Sequence, residues 1–296
     1  MHILMTGGTG LIGTAACAAL YADGHKLTIL TRRARPATTE ATYITSLGEC
    51  AETVDIVINL AGAGLADRRW SSAYKRQIVS SRVDLTRELV VWMGELEKPP
   101  KRLISASAIG YYGAADEQTF SEGAGVGTGF SAALCQSWEE EAGRAAAHGT
   151  QVSLLRFGVV LARDGGALGK MTQSCRLGVE TWLGSGEQWL SWINLKDAVR
   201  VIQHVLALEC PAGVYNTVAP QPARHRELAY EAGRQSRTWL KLGVPAFGAR
   251  LMAGEMAEEL LLNGQRVLPS QLLEDGFQFH YPSLKEALED AMPGVG

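Results

Sequence analysis

The sequence has few cysteines and no long apolar run, and each shortage excludes a class of protein. Its five cysteines, in 296 residues, are scattered and form no C-x-x-C pair, and its six histidines lack the spacing of metal ligands. No apolar stretch approaches the roughly 20 residues that a membrane-spanning helix needs. We therefore expect no metal site, no membrane partner and a reducing, cytoplasmic compartment.

An excess of one charge is also lacking. The net charge is −3, the hydrophobic fraction is 46%, and no basic cluster stands out. These values exclude a nucleic-acid partner and are typical of a globular protein. The N-terminus shows no signal peptide. The expected partner is a small-molecule substrate, and the expected assembly is a monomer or homodimer.

What is present begins with a β-α-β pattern. Residues 2–6 are short and apolar, residues 11–22 are alanine-rich with helical spacing, and residues 26–31 form a second apolar run. Further strands are predicted at residues 54–60, 102–105 and 152–157, and helices at residues 71–97 and 136–148. This alternation predicts an α/β fold, a Rossmann-type doubly wound parallel sheet.

The rhythm becomes irregular after about residue 163, where glycines interrupt the pattern. We predict a Rossmann domain over residues 1–163, to which residues 189–218 return with a strand, a helix and a second strand. Residues 164–188 and 219–296 are predicted to form a smaller, mainly helical C-terminal lobe on the substrate side of the sheet.

The loop between the first strand and the first helix reads GGTGLIG, from Gly7 to Gly13. It satisfies G-x-G-x-x-G, with Gly8 and Gly10 as the first two glycines, and it lies between a strand and a helix as that motif requires. Two adjacent phosphates need close backbone N–H groups and the positive end of a helix, and side chains would block their approach. The loop therefore predicts a dinucleotide cofactor.

The end of the second strand indicates which dinucleotide is bound. NAD binders usually place an acidic residue there to hold the ribose 2′-hydroxyl. This chain instead has Thr31-Arg32-Arg33, with no acid before Glu40. An arginine can hold a 2′-phosphate through several charge-assisted hydrogen bonds. The predicted cofactor is NADP(H), with Arg32 as the selecting residue.

Two further arginines stand where a charge needs an explanation. Arg82 lies within the apolar stripe of the helix predicted at residues 71–97, and Arg156 directly follows the apolar strand residues 152–155. Such a charge either reaches solvent or meets an anion. A phosphate of cofactor or substrate would satisfy either arginine, and so would an internal carboxylate, so both alternatives stay open.

Several motifs together resemble an extended or atypical short-chain dehydrogenase/reductase of the epimerase family (SDR39U-type, nucleoside-diphosphate-sugar epimerase-like). The resemblance covers essentially the whole chain, and its motifs are GGTGLIG, TRR, NLAG, SASAIGYYG, RRW, SSR, WEE, RFGVVLARDGGALGKM, GSGEQWLSWI and LLLNGQRVLPSQLLEDGF. It implies NADP(H) binding. The cofactor-binding residues that it implies are Gly7, Thr9, Gly10, Leu11, Ile12, Thr31, Arg32, Asn59, Leu60, Ala61 and Gly62, to which we add Arg82 and Arg156.

The same resemblance implies a reacting serine, tyrosine and lysine. Ser107 and Tyr112 match the serine and the tyrosine near the nicotinamide. The Y-x-x-x-K of active relatives is missing, because Phe130 and Leu134 occupy the expected positions. We interpret the distant Tyr281-x-x-x-Lys285 as coincidence.

The catalytic candidates are therefore Ser107, Tyr112 and Tyr111. Ser107 would bind a carbonyl oxygen, and one of the tyrosines would act as the acid. The alternative for both tyrosines is a structural role, as buried side chains with bonded hydroxyls.

Three functions follow from these residues. The first is an NADP-dependent oxidoreductase acting on a small carbonyl or hydroxyl compound. The second is a nucleotide-sugar epimerase, which depends even more on a proton-transferring tyrosine, so Phe130 and Leu134 disfavour it. The third is an NADP(H)-sensing regulator without turnover, for which an intact glycine loop and a missing tyrosine–lysine pair are the expected pattern.

Overall fold

A computed structural model describes residues 1–50 and 53–292. The strands are β1 (His2–Thr6), β2 (Lys26–Leu30), β3 (Thr42–Ile44), β4 (Ile56–Asn59), β5 (Arg102–Ala108), β6 (Ala115–Phe120), β7 (Gln151–Phe157), β8 (Val159–Leu161), β9 (Val179–Leu183), β10 (Trp189–Leu190), β11 (Trp192–Asn194), β12 (Gly213–Thr217), β13 (Ala223–Arg224), β14 (Leu240–Val244) and β15 (Gln265–Val267). The helices are α1 (Leu11–Ala22), α2 (Ser72–Val79), α3 (Leu85–Glu95), α4 (Phe130–Gly143), α5 (Gly166–Met171), α6 (Leu195–Leu206), α7 (His225–Gln235), α8 (Ala246–Ala253), α9 (Glu255–Ala257), α10 (Ser270–Glu274) and α11 (Leu284–Ala291).

Seven of the strands form one parallel sheet in the order β12-β7-β5-β4-β1-β2-β3. The order reverses between β1 and β4, so the connections leave in opposite directions there and open a crevice at the carboxyl ends of the strands. The predicted Rossmann-type doubly wound sheet is confirmed, and so is the helical C-terminal part.

The sheet is covered on both faces, and most residues of its central strands are therefore apolar. All five residues of β1 are buried. Ile3 and Met5 pack with Leu20 of α1 and Ile202 of α6, whereas Leu4 packs with residues of α3 and α4. Because side chains alternate along a strand, these two clusters lie on opposite faces.

The helix predicted at residues 71–97 is two helices, α2 and α3, joined by a π-helical turn over Ser80–Asp84. The helix predicted from residue 136 begins earlier, at Phe130, and ends in a 3-10 turn over Arg144–His148. The short edge strand β3 was not predicted at all, because only three residues pair and the residues before them are polar.

Residues 189–218 divide between the main sheet and smaller ones. Of their strands, β12 joins the main sheet beside β7, while β11 pairs with β8 and β10 pairs with β13. The helix between them, α6, packs against α1. None of the helices in residues 1–50 and 53–292 combines the length and apolar character needed to cross a membrane.

Candidate cofactor and active site

The glycine loop is tightly packed against the end of β4. Gly7 has a φ of +69°, and a Cβ added to it would lie 2.5 Å from the carbonyl carbon of Leu60. A Cβ on Gly13 would lie 2.1 Å from the carbonyl oxygen of Gly7. Any side chain at either position would push the loop from the sheet or the helix from the loop.

The N-terminus of α1, at the end of this loop, is open. Thr9 and Gly10 are exposed, the N-cap residue Gly10 offers no side chain, and the first turn contains no acidic residue. No side chain of the described residues is seen to cap this helix. The N–H groups of a first helical turn have no partner within the helix, and they carry the positive end of its dipole. Leu11 and Ile12 thus begin a helix whose start fits two adjacent phosphates, as the sequence predicts.

The end of β2 offers an uncommitted positive charge. The hydroxyl of Thr31 donates to the carbonyl oxygen of Arg33 at 2.8 Å, which orders the turn. Arg32 is exposed, and it forms no salt bridge in the part of the chain that the structure describes. Its guanidinium is therefore available to a ligand at the position where an adenosine 2′-phosphate is expected.

The NLAG segment meets the glycine loop, but the side chain of Asn59 is used internally. Its oxygen accepts a hydrogen bond from Thr6 at 2.7 Å, and its amide donates to Thr86 at 2.8 Å. Asn59 is 1% exposed. It links β1, β4 and α3, so a ligand at Leu60, Ala61 and Gly62 would meet backbone and small side chains rather than this amide.

Arg82 lies in the π-helical turn, partly buried. Its guanidinium donates to the carbonyl oxygens of Ala63, at 2.9 Å, and Ile78, at 3.3 Å, and it lies 5.3 Å from the ring centre of Trp138. Burial lowers the pKa of Arg82. No carboxylate pairs with it within residues 1–50 and 53–292. The internal ion pair considered for Arg82 is thus not found there.

Arg156, unlike Arg82, has a carboxylate partner. Its Nε and Nη2 donate to the two carboxylate oxygens of Glu139 at 2.8 and 2.7 Å, and both side chains are at most 9% exposed. Burial by itself lowers the pKa of Arg156, but the hydrogen bonds and charge of Glu139 outweigh it and raise that pKa. Of the two alternatives for Arg156, the structure shows the internal carboxylate, on α4, and cofactor binding by Arg156 stays a prediction.

The same buried network holds the three catalytic candidates. Ser107 Oγ donates to Glu139 at 2.5 Å. The hydroxyl of Tyr112 donates to Asn216 at 2.6 Å and accepts from Arg156 at 2.9 Å, and burial raises its pKa. The guanidinium carbon of Arg156 lies 3.5 Å from the ring centre of Tyr111. The contacts of Tyr112 match the structural alternative of a buried tyrosine with a bonded hydroxyl, whereas Tyr111 is half-buried and contributes a ring contact.

A cavity of about 310 Å³ opens beside Ser107, where β5 and β7 end. Residues of α4, the π-helical turn and the C-terminal part complete its wall, so it lies between the central sheet and the helical lobe. Its lining includes Leu65, Arg82, Ser107, Ile109, Ser131, Leu134, Cys135, Trp138, Trp189, Glu259, Asn263 and Gln265. Neither Tyr111 nor Tyr112 belongs to this lining.

With the site described, the chain can be compared with known proteins. The profile of the NAD dependent epimerase/dehydratase family matches residues 3–217. The chain belongs to this family. A second profile, of a domain of unknown function, matches residues 244–291. The family therefore covers the Rossmann part, and the second profile covers much of the helical lobe.

The full-length relatives are also epimerase family proteins. One from Mycobacterium bovis is 38% identical over 290 residues, covering 97% of this chain and 96% of its own. The SDR39U1 homolog of Arabidopsis thaliana, described as chloroplastic, is 36% identical and covers 99% of this chain and 87% of its own. A crystal structure of human epimerase family protein SDR39U1 with NADPH has a TM-score of 0.88 and 30% identity, covering 98% and 99% of the two chains.

Of the two residues of α4 expected at the tyrosine and lysine positions, Leu134 lines the cavity and Phe130 does not. Ser131, Leu134 and Cys135 line the cavity, whereas Phe130 packs on the ring of Trp70 with centroids 5.0 Å apart. Ser131 and Cys135 lie four residues apart, so both face the cavity from successive turns of α4. Burial first, and then the charge of Glu139, raises the pKa of Cys135 to about 11.

Glu259, which sequence reasoning missed, closes the N-terminus of α4. Its two carboxylate oxygens accept the backbone N–H groups of Phe130, at 2.9 Å, and Ser131, at 3.1 Å. Gly129 has a φ of +103°, and a Cβ on it would lie 2.5 Å from this carboxylate. The pairing joins residues 129 apart in sequence, so no local motif could have signalled it.

Two other features lie apart from this cavity. An open cleft of about 560 Å³ has Trp182, Arg226 and Tyr230 in its wall, and no predicted site residue lines it. Among the described residues, the potential metal-ligating atoms of His204, Cys210 and Asp275 lie within 4.8 Å of one another. The expectation of no metal site stays a prediction.

Proposed function

We propose that this chain is an NADP(H)-dependent oxidoreductase that acts on a small carbonyl or hydroxyl compound in the cavity beside Ser107. The observation that carries the proposal is the open, uncapped start of α1 at the switch point of the sheet, with no acidic side chain in its first turn. Such a helix start favours a diphosphate. The structural similarity to human SDR39U1, crystallised with NADPH, supports the same cofactor.

The residues proposed to hold the cofactor divide into three groups. The loop from Gly7 to Ile12 would bind the diphosphate, and Thr31 and Arg32 would bind the adenosine 2′-phosphate. Asn59 would keep the backbone of Leu60, Ala61 and Gly62 in place for the adenine and ribose side. When bound, NADPH supplies a hydride.

On the reaction side, Ser107 is the residue proposed to contact the substrate oxygen. Its single O–H is donated to Glu139, which is itself fixed by Arg156, so this hydroxyl would turn from Glu139 to the substrate oxygen when the substrate binds. Water in the cavity would supply the proton that the reduction consumes. Tyr111 and Tyr112 pack on and bond to Arg156, and we assign them a positioning role behind Ser107. This arrangement places no tyrosine hydroxyl in the cavity.

The experiment is an activity screen with purified protein, NADPH and a panel of small aldehydes and ketones, followed at the nicotinamide absorbance. We expect oxidation of NADPH with at least one carbonyl compound, and at least about a tenfold loss of kcat/KM in Ser107→Ala. A matched control is Ser80→Ala, because Ser80 bonds only to a backbone carbonyl of its own helix. Turnover by Ser107→Ala equal to that of the parent protein would remove Ser107 from the mechanism.

A second candidate function is an NADP(H)-sensing regulator without turnover. The observation in its favour is that α4 faces the cavity with Ser131, Leu134 and Cys135, none of which transfers protons readily near neutral pH. The same screen separates the two. Tight NADPH binding without oxidation by any carbonyl compound would favour the regulator.

A nucleotide-sugar epimerase is less favoured, because a cavity of about 310 Å³ is small for a nucleotide sugar.

A further inference from the structure

Arg82 is a charged side chain in the wall of the cavity, and no carboxylate among residues 1–50 and 53–292 pairs with it. Its two hydrogen bonds go to backbone carbonyls, which satisfy N–H groups but do not neutralise a charge. Arg156 differs from Arg82, because the carboxylate of Glu139 accepts hydrogen bonds from both its Nε and its Nη2 and balances its charge. The absence of such a partner for Arg82, within the described residues, leaves the cavity with a net positive group.

The backbone around Arg82 is also unusual. The helical segment switches to π-helical geometry over Ser80–Asp84 and then returns to an α-helix at Leu85. A π-helical turn is rare and is found frequently at functional sites. Here it contains Arg82, whose guanidinium carbon lies 2.8 Å from where a Cβ on Gly62 would be.

A second unsatisfied group lines the same cavity. Ser131 is 7% exposed, and its hydroxyl finds no hydrogen-bond partner in the described part of the chain. A buried hydroxyl without a partner costs about 1–3 kcal/mol, so it is usually bonded. Cys135, one turn further along α4, lies within electrostatic range of Arg82. The orphaned hydroxyl and the unpaired cation are therefore on neighbouring parts of one wall.

We propose that the substrate carries a carboxylate and that Arg82 binds it, with the hydroxyl of Ser131 as a further donor. The substrate class is a small oxo acid or the matching hydroxy acid. This inference rests on the proposed function, since it assigns the substrate of that same cavity. The volume of about 310 Å³ sets the small size, and the indole of Trp138 beneath Arg82 gives the site an apolar floor.

The position of Arg82 separates this role from binding a cofactor phosphate. The start of α1 already offers a diphosphate site, and Arg32 offers a charge for the 2′-phosphate. Arg82 instead shares its cavity with Ser107, the residue proposed to contact the reacting oxygen. Glu259 is the acidic group on the cavity wall, and two backbone N–H groups of α4 occupy its carboxylate. An arriving anion would therefore be drawn to Arg82.

The test is a calorimetric titration of pyruvate and of methyl pyruvate into protein saturated with NADP⁺, a complex in which a ketone cannot be reduced. We expect pyruvate to bind about 10- to 100-fold more tightly than its neutral ester, the range of a charge-assisted hydrogen bond. Arg82→Gln should abolish this preference, and Arg82→Lys should keep part of it. Arg76→Gln is the matched control, since Arg76 is exposed on the adjoining helix.

Several outcomes would overturn the inference. They are equal binding of acid and ester, no binding of either, a preference that survives in Arg82→Gln, or tighter binding of inorganic phosphate than of pyruvate. Loss of NADPH binding in a folded Arg82→Gln variant would instead assign Arg82 to the cofactor. Circular dichroism and thermal unfolding show whether each variant is folded. If the parent protein binds no NADPH, the proposed function fails separately, and the titration without cofactor still tests Arg82.

Discussion

Two helices begin at the carboxyl edge of the sheet, and they differ in whether a side chain accepts the N–H groups of their first turn. The start of α1 has no capping side chain and no acid, so its N–H groups are left for a ligand. The start of α4 is closed by Glu259, which arrives from the helical lobe and accepts two N–H groups. The same physical property, a positive helix end, serves binding in one case and assembly of the fold in the other.

The two arginines of the site repeat this contrast. Arg156 is neutralised by Glu139, while Arg82 faces the cavity without a carboxylate among the described residues. The start of α1, Arg32 and Arg82 thus lack an anionic partner among the described residues, and we call them the uncommitted set. Ser107, Glu139 and Arg156 are bonded to one another, and we call them the committed set. Changes to the committed set should cost stability, and changes to the uncommitted set should cost binding. The following predictions use that difference.

The largest expected effect is a loss of stability when the buried ion pair between Arg156 and Glu139 is broken. Arg156→Met leaves the buried carboxylate of Glu139 without its counter-ion, and the free energy of unfolding should fall by about 3–5 kcal/mol. Denaturant unfolding measures it. Arg144→Met is the control, because Arg144 is 65% exposed and its pair with Glu141 should contribute under about 1 kcal/mol. A cost below about 1 kcal/mol for Arg156→Met would show that the pair is not a structural unit.

An acidic side chain at the start of α1 should weaken cofactor binding rather than lower stability. Thr9→Glu places a carboxylate at the start of α1, where it repels a diphosphate, and NADPH affinity should fall about 100-fold, or about 2.7 kcal/mol. The same charge interacts favourably with the helix dipole, so stability should not fall. Thr9→Gln has nearly the same shape without the charge and should bind nearly as the parent does. Undiminished NADPH binding by Thr9→Glu would place the diphosphate elsewhere.

A smaller effect is expected at the end of β2. Arg32→Ala should lower the preference for NADPH over NADH by about tenfold, or about 1.4 kcal/mol, because a charge-assisted contact to the 2′-phosphate is lost. Arg35→Ala, three residues along the same exposed segment, is the control. Parallel titrations with the two cofactors measure the ratio. A ratio that changes more in Arg35→Ala than in Arg32→Ala would move the selectivity to the other arginine.

The smallest effect is expected at the closed helix. Glu259→Ala removes the acceptor of two N–H groups of α4, and by analogy with a helix cap the loss should be about 1 kcal/mol of stability. Thermal unfolding against Glu274→Ala, an exposed acid of the same lobe, isolates the cap. NADPH affinity should hardly change. A fall in affinity without a fall in stability would mean that Glu259 belongs to the ligand site.

The sequence predicted well where one short segment contains both the element and its chemistry. The strand, the glycine loop and α1 follow one another within residues 2–22, and each was predicted with nearly its observed bounds. The local spacing of apolar residues and glycines is sufficient there, because the packing constraints on Gly7 and Gly13 come from immediate neighbours and the next strand.

Prediction failed where the deciding partner is distant. The charge of Arg156 is balanced by Glu139, in the preceding helix, and the N-terminus of α4 is capped by Glu259, which is 129 residues away in sequence. Of the two residues of α4 that were expected near the reacting atoms, Leu134 lines the cavity, whereas Phe130, the first residue of the helix, packs on Trp70. The π-helical turn around Arg82 carried no signal in the spacing of apolar residues.

The measurement that tests the account most directly is a calorimetric titration of the parent protein with NADPH and, separately, with NADH. The open start of α1 and the uncommitted charge of Arg32 predict that both bind at one site, with NADPH at least about tenfold tighter. Tighter binding of NADH would contradict the assignment of Arg32. No binding of either cofactor would contradict the central claim that the start of α1 is kept open for a dinucleotide.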